Sequence, residues 1–141
     1  MRNGRPGRRP TGLIGSLSLS PMLILILPIP GALSAADPAF CALLTEAAKA
    51  TNAQGALEID ATTRQEATVV DCGMQSIETK LTSRLATATL PLGWKDGKQK
   101  KLNALYCDDP ASKDLIKRGW TFVETTVFAD SSTFSIKAVC E

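Results

Sequence analysis

Cys41, Cys72, Cys107 and Cys140 stand 31, 35 and 33 residues apart, and this even spacing limits the fold more than any other feature of the chain. Such distances exclude the close cysteine pairs of zinc sites and thioredoxin-like redox centres. What the cysteines do instead depends on compartment, and residues 1–36 bear on that. Arg2, Arg5, Arg8 and Arg9 form a cationic start, and an apolar run follows over residues 13–27. The small residues Ala32, Ser34, Ala35 and Ala36 come next. This is the pattern of a secretory signal peptide, with cleavage expected after Ala36 or, two residues earlier, after Ser34. Pro21 interrupts the apolar run, and Pro28 and Pro30 follow it. A spanning helix wants about 20 apolar residues, so no stable membrane insertion is expected after cleavage. An exported chain with an even cysteine count implies two disulfides, for which three pairings exist. The expected location is the periplasm or the extracellular space.

Loss of the leader changes the charge. The chain holds 16 basic and 14 acidic residues. Without its four leader arginines the balance is 12 to 14, a net charge of −2. Nucleic acid therefore loses its compositional case as a partner. Residues 37–141 form one domain by length, and disulfides help a chain of this size because much of its surface stays exposed.

Asp37-Pro38 is a helix start, with an N-cap residue before proline at the first helical position. Phe40, Leu43, Leu44, Ala47, Ala48 and Thr51 then recur at helical spacing, up to Asn52 and Gly55. Residues 57–60 suggest a short strand and residues 68–70 begin a longer one. Gly73 suggests a bulge or tight bend, after which Ile77, Thr79 and Leu81 alternate with Glu78, Lys80 and Thr82 as in a half-buried antiparallel strand. Residues 85–92 are ambiguous. The spacing predicts a helix over 98–106 with Leu102, Leu105 and Tyr106 inward. Asp109-Pro110 repeats the N-cap signal for a short helix ending at Arg118-Gly119. Two strands close the chain around Asp130-Ser131-Ser132. The order α-β-β-α-α-β-β implies an α+β domain, an antiparallel sheet of about four strands with helices on one face. In that arrangement Cys107 precedes a helix that can pack on the strand ending in Cys140. Cys41, in the first helix, is left to pair with Cys72, in the first long strand.

There is no histidine, so serine and cysteine nucleophiles lack their commonest general base. No catalytic, cofactor-binding or metal-ligating set is expected. Asp108 and Asp109 form the best carboxylate pair, and Glu58 and Asp60 share a strand face. Helix capping explains the first pair and solvation the second. Trp94, Lys95, Lys98, Lys100 and Lys101 make the most basic stretch, which could dock an anionic partner; the plainer reading is an exposed loop leading into the polar face of the 98–106 helix. Trp120, Phe122 and Phe128 share one strand face, with Glu124 and Thr126 between them, and core packing is the default there.

Tyr106-Cys107-Asp108-Asp109-Pro110, then residues 115–119 and a hairpin ending in Cys140, resembles the quorum-sensing-regulated virulence factor family of small exported bacterial proteins. Residues 59–63 look like the segment before that family's first long strand. The turn over residues 129–132 lacks the glycine expected there, and Cys41 with Cys72 is a pair the family pattern does not demand. The resemblance implies an exported α+β domain without established catalysis.

The expected function is that of a non-enzymatic accessory protein that binds another periplasmic or extracellular protein, connected with virulence or the envelope. The alternative is a protein inhibitor of a lysozyme or protease. A third possibility is an unfamiliar enzyme using Asp108, Asp109 or Lys98.

Overall fold

The computed structural model describes residues 37–141; the expected export signal at 1–36 lies outside them. Helix α1 spans Pro38–Asn52, and its cap is the expected one, with the Ala39 N–H donating to Asp37 Oδ1 at 2.8 Å. Strands β1 (Leu57–Glu58), β2 (Thr63–Asp71) and β3 (Ser76–Ser83) follow, and a 3-10 turn covers Thr87–Thr89. Helices α2 (Trp94–Cys107) and α3 (Pro110–Lys117) lead to β4 (Thr121–Val127) and β5 (Thr133–Lys137). The architecture is α+β, with one five-stranded sheet in the order β1-β2-β3-β4-β5.

The expectation of about four strands is low by one because β1 is only two residues long and pairs with Arg64 and Gln65 alone. The sheet is also not wholly antiparallel, since β3 and β4 run parallel from Ser76↔Thr121 to Thr82↔Val127. The physical reason is the connection: α2 and α3 lie between these strands, and only a long crossover returns the chain in the same direction. Gly73 lies in a complete reversal between β2 and β3, braced by the Met74 N–H donating to Asp71 Oδ1 at 2.9 Å.

Registry arranges the helix-facing side of the sheet in rows. Val70, Ile77 and Phe122 form an apolar row, with Ala138 beside it, its N–H bonded to the Phe122 carbonyl. Phe40, Cys41 and Leu44 of α1, Leu102 and Tyr106 of α2, Leu115 of α3 and Trp120 pack in the same cluster. Phe40 meets Trp120 edge-on at 6.0 Å, and Tyr106 stacks on Phe122 at 4.2 Å. Leu43 and Leu105, expected inward, are instead 41% and 42% exposed. Each flanks its helix's buried stripe. The next row is more polar: Thr68, Thr79, Glu124 and Ile136.

Both bridges join helices to the sheet region. Cys41–Cys72 fixes α1 to the end of β2, and Cys107–Cys140 fixes the end of α2 to the chain after β5, with Cα separations of 5.8 and 5.5 Å. Side-chain amides also occupy the sheet edges. The Asn52 carboxamide donates to the Thr68 carbonyl and accepts from its N–H, both at 2.8 Å. Gln99 donates to the Lys137 carbonyl at 2.8 Å, and Asn103 accepts from the Val139 N–H at 3.0 Å. Occupied edge groups discourage strand addition at those positions.

Candidate functional site

The site begins where β3 hands over to α2. The Trp94 N–H donates to the Pro91 carbonyl at 3.2 Å, and Gly93 has φ 78° and ψ 10°. This is the glycine geometry of a type II turn, open to few other residues. Leu92 sits at its corner, fully exposed. The preceding segment is tied to the β4–β5 turn: the Ala129 N–H donates to the Leu85 carbonyl at 3.0 Å, and Thr87 donates to Asp130 through its N–H at 2.8 Å and its hydroxyl at 2.6 Å. Hydrogen bonds from Ser132 and Thr87 hold the Asp130 carboxyl well below the usual carboxylate range.

Behind the turn, Trp94 packs edge-on against Phe128 at 5.3 Å and Phe134 at 4.9 Å. Residues 94–97 are therefore helix, not the loop expected before residue 98. Tertiary packing of Trp94 carries α2 four residues beyond the expected start, over Gly97, which disfavours a helix interior. Trp94 and Lys95, expected in a loop leading into the helix that holds Lys98, Lys100 and Lys101, thus stand in its first turn.

Those five residues separate. Trp94 is half-buried. The Lys95 ammonium lies 5.7 Å from the Trp94 ring centre and 5.5 Å from that of Phe134, a cation–π arrangement at an exposed site. Lys98 turns inward to pair with Glu124 and donates to Thr126 Oγ1 at 3.0 Å. Tyr106 is close to the same group: burial pushes its hydroxyl up to about 12, opposed by a hydrogen bond with Thr79 and reinforced by the Glu124 charge. Lys100 and Lys101 remain exposed, in no ion pair among the described residues. What the site presents to solvent is Leu92, Lys95, Lys100 and Lys101.

The fold has a solved counterpart. A "putative secreted protein" of Pseudomonas aeruginosa, known from its crystal structure, superposes with a TM-score of 0.55 at 15% identity, over 68% of this chain and 87% of that one. No protein-family model and no curated protein matches the chain.

The remaining candidates have structural roles. Asp109 caps α3, accepting from the Ser112 N–H at 2.9 Å and hydroxyl at 2.6 Å. Asp108 follows α2 as an exposed residue. Glu58 pairs with Arg84 at 3.1 Å. Burial pushes the Asp60 carboxyl up, but hydrogen bonds from Thr62 and Thr63 outweigh it and leave the group below its ordinary value. Among the described residues no cluster of three or more histidine, cysteine or acidic side chains could hold a metal ion. Nor is any described helix long and apolar enough to cross a membrane. Sequence reasoning missed Leu92 and the Lys98–Glu124 pair. Pro91-Leu92-Gly93 carries the signal for the first, a turn with glycine in its third position. Nothing local pairs two residues 26 positions apart.

Proposed function

We propose that this chain is an exported, non-enzymatic binding protein of the bacterial periplasm or extracellular space, and that its partner is another protein. The observation that carries this reading is the basic surface at the start of α2. Residues 94–101 hold four lysines against Asp96, of which Lys95, Lys100 and Lys101 face solvent, while the other described residues hold eight basic against thirteen acidic side chains. A positive patch on a negative molecule steers an acidic partner to one face. The two disulfides support an oxidising compartment. The association with virulence rests on the sequence resemblance alone. Chemical crosslinking in intact cells followed by purification tests the proposal. A stoichiometric protein partner is expected, and repeated recovery of the chain by itself argues against it.

A narrower reading makes the partner a hydrolase that the chain inhibits. The braced, exposed segment at residues 85–93 favours it, since inhibitors gain affinity from loops already held in their bound shape. Assays against lysozymes and proteases distinguish the two, and a uniform lack of inhibition removes the narrower reading.

A further inference from the structure

We infer that Leu92 is the anchor of this protein's contact with its partner, and that the partner is a folded protein presenting an apolar pocket bordered by carboxylates. The inference rests on the binding reading above and specifies its surface.

Scattered apolar residues on a surface are ordinary, and the other exposed large apolar side chains here are 37–75% exposed, Met74 the most. Leu92 differs because it is fully exposed and is held so. Trp94, packed between Phe128 and Phe134, fixes the chain just after it. The Leu85–Ala129 and Thr87–Asp130 hydrogen bonds fix the chain before it. The turn at Gly93 points the corner residue outward. A partner that covers Leu92 gains its full apolar burial and orders no loop in doing so. A few side chains that fill pockets on the partner carry most of the energy of a protein contact.

Charge selects the border of the pocket. Lys95 is three residues beyond Leu92, and Lys100 and Lys101 lie about 9–11 Å along the helix axis from Trp94. Lys98 adds no outward charge because it faces Glu124. Carboxylates beside the pocket would meet these lysines, whereas a basic partner would not. A bilayer fits less well: one leucine offers far less apolar area than a single acyl chain, which itself binds membranes only marginally.

The test uses the full chain, leader included, expressed in its own host with p-benzoylphenylalanine in place of Leu92 and, as a control, of Ala50 on the exposed side of α1. Ultraviolet irradiation is expected to give one protein adduct from position 92 and none from position 50. The crosslinked partner peptide should lie among apolar residues with aspartate or glutamate nearby. With the isolated partner, Leu92→Asp should weaken binding about a hundredfold and Lys100→Glu with Lys101→Glu about fivefold, the latter with reduced salt dependence. Thermal unfolding should be unchanged by Leu92→Asp, since the side chain touches nothing in the free protein. If lysine-directed crosslinkers recover a partner while position 92 gives no adduct, or no more than position 50, the binding reading stands and the anchor fails. If neither approach yields an adduct, both fail. Binding to phosphatidylglycerol vesicles that Leu92→Asp abolishes would replace the protein partner with a membrane.

Discussion

Replacing both cysteines of a bridge by alanine gives the most quantitative test of the scaffold. Cys41–Cys72 and Cys107–Cys140 close loops of 31 and 33 residues. In the chain-entropy model each closure stabilises the fold by about 3.7 kcal/mol, so the two bridges should be nearly equal on that ground. Packing breaks the tie. Cys41 is buried beside Phe40 and Leu44, 6% exposed, and its partner Cys72 is exposed, whereas Cys107 and Cys140 are both half-buried. Losing the Cys41 sulfur from the core should add about 1 kcal/mol. Urea unfolding followed by the fluorescence of Trp120, which is buried in the same cluster, reads the difference. With a slope of about 1.5 kcal/mol/M, the midpoint should fall by about 2.5 M for Cys107→Ala with Cys140→Ala and by about 3 M for the other pair. A fall below about 0.5 M for either pair would refute the entropic reasoning. A larger fall for the Cys107–Cys140 pair would refute the packing argument.

Gly93→Ala should cost about 1 kcal/mol through its left-handed backbone alone, because an added Cβ meets nothing within 4 Å; thermal unfolding measures this. Glu124→Gln should destabilise by about 1–3 kcal/mol by leaving the Lys98 ammonium without its counter-charge, and adding Lys98→Met should recover part of that loss. Tyr106 makes stability fall at high pH. Its folded value, near 12, lies above the ordinary value of 10, so between them the unfolded chain has lost a proton that the folded chain keeps. The contribution is complete below pH 10 and is lost as pH rises toward 12, amounting to about 2–3 kcal/mol. Denaturation midpoints of the parent and Tyr106→Phe across that range isolate it, since the variant should show a shallower decline.

The fold was legible where the cues are local. Asp37-Pro38 and Asp109-Pro110 announce helices that both start there, because a capping carboxylate and a proline act within one turn. The cysteine pairing followed from element order and needed no distance information. The parallel β3–β4 pair was less visible, since a half-buried strand alternates alike in either direction. Only the two intervening helices indicate a crossover. The start of α2 was hidden for a different reason: Gly93 provides no side-chain cap, and Trp94 is held by Phe128 and Phe134, which lie 34 and 40 residues on. The basic stretch was therefore identified by composition but not by shape. Its lysines divide between the Lys98–Glu124 pair and solvent through contacts made only in the folded chain.

The most direct test of the central claim is the molar mass of the native protein, measured by size-exclusion chromatography with light scattering on freshly released periplasmic and culture fractions. The account predicts that part of the protein runs as a complex with a second protein at low salt and moves to the mass of a single chain when salt is raised. Elution as a single chain at every salt concentration in both fractions would contradict it.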